Sequence, residues 1–407
     1  VGRKLGRVSS PAYLDHAAST PTLPEVIDTV AEQMGRVGNA SSLHTAGRAA
    51  RRVVEESRES IADALGCRPS EVVFTSGGTE SDNLAIKGTY LARHQDDPRR
   101  TRLLVSGVEH HAVLDPVLHL TQAHGAEVTW LEPDPEGLVH PEAVREALER
   151  DPDSAALVSV MWANNEVGTV QPVAEIREVA HSHGVPFHTD AVQALGQLPA
   201  ALDQVGADLV TFTGHKIGGP LGVGVLVAGR DQSPVPLSHG GGQERQLRSG
   251  TLDVPAIAGL AVAVDHAVRH QGEHARRLVV LRDRLVRGAL TIDPTIEVSG
   301  PWEEGDGIRR LPGNAHLRLP DCDGDSLLYL LDAAGVQCST GSACQAGVPQ
   351  PSHVLIAMGV DEAGARGSLR LSLGHTSTED DVGAFLAALP AAIERARRAR
   401  QATGRAG

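Results

Sequence analysis

From residue 12 to residue 227, short apolar runs alternate with segments of helical period. The run 71–76 (EVVFTS) ends in glycines, and the spacing after it predicts a helix over 79–92. Strand-like 102–108 precedes a helix over 111–124, and 128–131 precedes a helix over 141–150 opened by proline. The apolar stretch 155–163 (AALVSVMWA) leads into a helix over 173–183, and 185–190, 208–213 and 223–227 read as further strands. Strands alternating with helices of about 10–15 residues predict an α/β fold, an open and mostly parallel sheet covered by helices on both faces. After about residue 254 the pattern changes. A long helical stretch over 257–290 comes first, then strands at 297–299 and 315–319, and a helix over 325–334. A glycine–serine loop, a short helix over 352–358, a strand at 369–373 and a terminal helix from 378 complete a smaller α+β unit.

Composition narrows what such a fold can do. The 407 residues carry a formal charge of −14, which disfavours a phosphate backbone as ligand, and aromatics are only 2%, too few for a base-stacking platform. We therefore expect no direct nucleic-acid partner. No apolar stretch reaches the ~18 residues that a membrane span needs. The basic residues Arg3, Lys4 and Arg7 are followed by no apolar core, so they read as a lead-in rather than a secretory signal. Four cysteines without a C-x-x-C pair give no disulfide framework and suit a reduced, cytoplasmic protein. The 19 histidines form no metal-ligating motif, and no metal is expected. Among 37 basic residues lysine occurs only at Lys4, Lys87 and Lys216, so any chemistry that needs an amine has three candidates.

In an open α/β sheet, ligands gather beyond the carboxyl ends of the strands. Those ends carry Ser76-Gly77-Gly78-Thr79, Glu109-His110, Asn164-Asn165-Glu166, Thr189-Asp190 with Gln193, and Thr213-Gly214-His215-Lys216. A glycine pair opening a helix offers backbone N–H groups to an anion, and Thr79 adds a hydroxyl. Lys216 is the one lysine placed where partial burial would make it a nucleophilic amine. Asp190 ends a buried strand, where a carboxylate can hold a pyridine nitrogen protonated. An anion cradle, an amine and a carboxylate are together what pyridoxal phosphate demands.

These residues lie within longer motifs. They are YLDHAA at 13–18, GNASSLH at 38–44, TSGGTESDN at 75–83, EHHAVLD at 109–115, NNEVGTVQP at 164–172, GHKIGGPLGVG at 214–224, RSGT at 248–251, STGSAC at 339–344 with PSHVL at 351–355, and SLRLSLG at 368–374. Across nearly the whole chain the sequence resembles the cysteine desulfurases, pyridoxal-phosphate enzymes of the class V aminotransferase superfamily with fold type I. The spacing of Cys344 to Pro351 resembles the group with the longer cysteine loop. The resemblance implies a large cofactor-binding domain over 12–256 and a small domain over 257–407, with 12–30 packing against the small one. It implies that Lys216 forms the Schiff base, Asp190 pairs with the pyridinium, Gln193 bonds the ring hydroxyl, and His110 stacks on the ring and acts in catalysis as a proton shuttle. Gly78, Thr79, Thr213 and His215 would hold the phosphate, with Thr251 reaching in from the second subunit of a homodimer. Asn39, Asn165 and Arg370 would bind the substrate, Asn165 serving the cofactor as well.

Cys344 would be the nucleophile, set among small residues in 339–347 (STGSACQAG), where one sulfur must reach both the cofactor and an acceptor. Cys67 and Cys338 read as packed thiols, and the aspartates beside Cys322 disfavour its thiolate. The activity implied is conversion of L-cysteine to L-alanine with a persulfide on Cys344. Its sulfur would pass to an iron–sulfur scaffold or a tRNA thiolation enzyme. A selenocysteine lyase, another pyridoxal-phosphate enzyme of this fold and a catalytically silent assembly subunit are the alternatives. His375 departs from the arginine of similar sequences (SLGR) near the substrate edge.

Overall fold

The computed structural model describes residues 11–199, 201–341 and 351–404. The apolar runs pair into three sheets. Ala12–Tyr13 forms β1. The main sheet takes β2 (Val72–Thr75), β3 (Arg102–Ser106), β4 (Glu127–Leu131), β5 (Ala155–Ser159), β6 (Phe187–Asp190), β7 (Leu209–Thr213) and β8 (Gly224–Ala228). Its order is β2-β8-β7-β6-β5-β3-β4, and β8 alone runs against its neighbours. Every residue of β2, β3, β5, β7 and β8 is buried, as helices on both faces require, whereas the edge strand β4 is half-exposed.

The second part holds β9 (Glu297–Val298), β10 (Asn314–Arg318), β11 (Val336–Gln337) and β12 (Ser368–Ser372). Strands β9, β10 and β12 form an antiparallel sheet in the order β12-β10-β9, and β1 pairs in parallel with β11. The amino-terminal strand thus packs on the carboxyl-terminal elements. The helix Val254–Ile292 runs unbroken for 39 residues. Its Ile257, Leu260 and Val264 join the core of the main sheet, whereas Leu278, Leu285 and Val286 join the core around β10 and β12. The division expected at 256–257 falls inside this helix, which changes cores between Val264 and Leu278.

Two helices absent from the sequence reading, Pro24–Met34 and Thr45–Leu65, pack on its first half. The second buries Val54, Ile61 and Leu65 on one face among arginines and glutamates, a stripe diluted by alanine. The helix expected over 79–92 is instead Gly78–Asn83 and Thr89–Asp96, joined by a π turn at Leu84–Gly88. At Gly88 a Cβ would lie 2.7 Å from Pro234, so a close approach is built into that turn. Near the site the two cores are stitched together: Asn314 Nδ2 donates to Glu166 O (2.9 Å) and Leu311 N to Gly168 O (2.8 Å).

Candidate active site

The carboxyl ends of the main strands open into a cavity of about 400 Å³. Its lining includes Gly78, Thr79, His110, Asn165, Asp190, Gln193, Thr213, His215, Lys216 and Arg370. Ten of the residues singled out in the sequence are therefore gathered in one place, from five strand ends and β12.

The glycine turn is shaped by steric necessity. Gly77 has φ +151°, and a Cβ on Gly224 of β8 would lie 2.7 Å from the Gly77 backbone. Only glycines let β8 cross so close and leave the start of the helix Gly78–Asn83 facing the cavity. Glu80 secures the turn by accepting from Ser76 N (2.5 Å) and from Arg248 Nε (3.0 Å). Thr213 spends its hydroxyl on Val223 O (3.1 Å), and His215 Nδ1 stands 3.4 Å from Ser19 Oγ.

Lys216 Nζ donates to Ala17 O (2.5 Å) and Ala18 O (2.9 Å). Burial first, then the positive charge of Arg370, pulls this amine down to about 8. Asp190, at the end of β6, accepts from Val192 N at 2.8 Å. Burial, then the Asp82 carboxyl, pushes it up to about 8. Gln193 donates to Ala17 O (2.9 Å), so the same backbone carbonyl orients both Gln193 and Lys216.

His110 opens the helix His111–His124, its Nδ1 accepting from Ala112 N (3.1 Å). That bond leaves Nε2 to carry the proton of the neutral ring. The residue is exposed at the border of the cavity; desolvation by the surrounding protein and then Lys216 lower its imidazole to about 4. Arg370 on β12 reaches across from the second core. It donates to Asp15 Oδ1 (2.8 Å) and Asn165 O (3.2 Å), while its buried Nε has no hydrogen-bond partner. A planar fork with one donor in reserve suits a carboxylate ligand.

Asn39 and Thr251 are exposed and do not line the cavity of this chain; the Asn39 side chain accepts from Ser41 N (2.9 Å). Cys344 lies outside the described residues. Cys67 and Cys338 are held up near 12, chiefly by burial. Cys322 is raised too, but burial rather than its acidic flanks is the main cause. His375 borders an adjoining cavity of about 80 Å³ with His16, His266, His270 and His274. Among the described residues no cluster of His, Cys, Asp or Glu is arranged to hold a metal ion. Nor is any described helix long and apolar enough to cross a membrane.

Sequence reasoning gave no role to Asp82, to His188 or to Glu109, which it named only as a strand-end residue; all three act electrostatically on Asp190 or are acted on by it. All three are completely buried, and Glu109 Oε2 and both Asp82 oxygens have no hydrogen-bond partner. Asp82 lies in the polar run TESDN and carries no local signal of burial, whereas Glu109 was marked only by its place at a strand end directly before His110.

Residues 12–385 match the family described as Aminotransferase class-V, to which this chain belongs. Many solved structures share the fold, and two of them illustrate it. A NifS-like protein has TM-score 0.84 and 35% identity, covering 95% of this chain and 99% of that one. SspA in complex with cysteine has TM-score 0.74 and 35% identity, covering 90% and 100%. A curated IscS-like cysteine desulfurase of Mycobacterium tuberculosis is 58% identical over 388 residues, 95% of this chain and 98% of the relative. Within the class V family the chain is therefore a member of the cysteine desulfurases.

Proposed function

We propose that this chain is a pyridoxal-phosphate-dependent enzyme that converts L-cysteine to L-alanine and captures the sulfur on Cys344. The observation that carries the reading is one cavity holding a lysine amine lowered to about 8, a buried acid raised to about 8 and a two-pronged arginine. The donor set fits the cofactor. Asp190 is raised because nothing cationic lies close enough to offset its burial, and a protonated pyridine nitrogen would supply that charge. Gly78, Thr79, Thr213 and His215 border the same cavity and would receive the phosphate. Pyridoxal phosphate, when bound, supplies the electron sink that stabilises negative charge at the substrate Cα.

The chain's own groups do the rest. The Lys216 amine is unprotonated in a useful fraction near neutral pH, so it serves as nucleophile toward an aldehyde and then as base toward the Cα proton. With the cofactor bound, Asp190 would keep the ring nitrogen protonated, Gln193 would donate to the ring hydroxyl and the neutral His110 imidazole would stack on the ring. Arg370 and Asn165 hold the substrate carboxylate. The Cys344 thiolate bonds to the substrate sulfur as the sulfur–Cβ bond breaks; Cβ keeps that bond's electron pair and takes up a proton, giving L-alanine and a persulfide on Cys344. The SspA structure with bound cysteine supports this substrate, though it concerns that protein.

The same reading includes a homodimer. Met34 and Val37 are 73% and 88% exposed beside a groove of about 360 Å³ between the helices Pro24–Met34 and Thr45–Leu65. Asn39 and Thr251 stand exposed near that face, and a second copy would cover it and bring Thr251 to the partner's phosphate site. The persulfide would pass to an iron–sulfur scaffold or tRNA thiolation enzyme in the cytoplasm. Lys216→Ala and Cys344→Ala test the proposal. The first variant should lose the yellow absorption band, and the second should keep it yet release no sulfide from L-cysteine. A colourless wild type after reconstitution, or full activity without Cys344, would overturn it.

A further inference from the structure

Beneath the cofactor site lies a set of acids that the mechanism leaves unused. Asp82, from the helix Gly78–Asn83, is wholly buried among the residues that line the cavity, and neither of its oxygens has a hydrogen-bond partner. Its nearest polar neighbours are His188 Nε2, 3.5 Å from Oδ1, and the Thr211 hydroxyl. His188 shares a face of β6 with Asp190, two residues on. Its Nδ1 lies 2.9 Å from Ser159 Oγ, and its Nε2 lies 3.2 Å from Thr211 Oγ1. Glu109, Asp190 and, farther off, Lys216 are the other ionisable groups that act on this cluster.

Two adjacent carboxylates in a dry interior repel each other, and a carboxylate without a donor is costly there. Asp82 is raised to about 7 by burial, and His188 is lowered to about 4 by the same cause. With a protonated ring nitrogen at Asp190, the pair's one negative charge is drawn there and its one proton is left to Asp82, beside an imidazole that stays neutral. One arrangement then satisfies both side chains. The acid O–H donates to Nε2, and Nδ1–H then donates to Ser159.

We propose that Asp82 is a positioning residue for the cofactor, a neutral acid whose proton is donated to His188 Nε2. This fixes the His188 tautomer and leaves Asp190 alone to carry the negative charge that meets the ring. The inference rests on the cofactor reading above. It assigns to one buried residue the task of keeping two neighbouring acids from competing for one cation.

The test is 15N NMR of the holoenzyme with labelled histidine, the His188 signals being assigned by their loss in His188→Gln. Nε2 should be pyridine-like and Nδ1 pyrrole-like. A pyridine-like Nδ1, or two protonated nitrogens as in an ion pair with charged Asp82, overturns the proposal. A cofactor titration gives the second readout. Asp82→Ala removes one neutral hydrogen bond, ~1.4 kcal/mol, and should weaken pyridoxal phosphate binding about tenfold. Asp82→Asn, whose amide can donate to the same nitrogen, should restore most of that loss. Asn as damaging as Ala, or Ala without effect, overturns it as well. A wild type that takes up no cofactor defeats the cofactor reading itself, and the ring tautomer, measured without cofactor, then decides this inference.

Discussion

Arg370 offers the sharpest test of substrate recognition. Its side chain is 6% exposed, and the guanidinium is split between Asp15 Oδ1 at 2.8 Å and Asn165 O at 3.2 Å. Arg370→Lys keeps the positive charge but replaces a fork with a point charge, so one of two parallel bonds to a carboxylate is lost. A hydrogen bond to a charged group is worth about 1.5–3 kcal/mol, which corresponds to a roughly 10- to 150-fold loss in kcat/KM. The carboxylate is held alike before and during reaction, so the loss should fall mainly on KM for L-cysteine, with kcat changed little. The assay is alanine release against cysteine concentration, run beside the cofactor absorption band and thermal unfolding to establish that the site is intact. A KM within about twofold of wild type in the intact variant would refute the assignment of Arg370 to the carboxylate.

Other consequences follow from charge and burial. Only the neutral Lys216 amine attacks an aldehyde, so covalent uptake of pyridoxal phosphate by the apoenzyme should speed up with pH and level off above about 8, read by stopped-flow absorbance. Uptake independent of pH between 6 and 9 would contradict that. His316 is completely buried with both ring nitrogens unpartnered, and burial lowers it to about 3 from an unfolded value near 6.5. Its contribution to stability is fully present above pH ~6.5 and is lost as pH falls toward its folded pKa, because the unfolded chain takes up a proton that the folded one refuses. His316→Leu should therefore move the acid-unfolding midpoint to lower pH. An unchanged midpoint would mean that His316 protonates freely in the folded protein.

Much of the site was legible because it depends on where strands stop. Lys216 and Asp190 follow apolar runs, and the rule that ligands collect beyond the carboxyl ends brings them together before any coordinates exist. The helix Thr45–Leu65 was less legible, since its buried stripe of Val54, Ile61 and Leu65 is interrupted by alanines and buried Arg58. Arg58 is admitted to the interior by Glu244, 186 residues away, through bonds of 2.8 Å. No local pattern announces such a pairing.

What the sequence determined by itself was the alternation of strands and helices, the kind of chemistry at the strand ends and the scarcity of amines that isolates Lys216. The tertiary structure alone decided the charge states. Asp82 and His188 look like ordinary polar residues along the chain, and Glu109 and Asp190 show only their place at strand ends, yet folding strips all four of water and sets them against one another. A residue's propensity is local and can be read from its neighbours in sequence. Its proton affinity is fixed by desolvation and by charges brought near from elsewhere, and those exist only once the chain has closed.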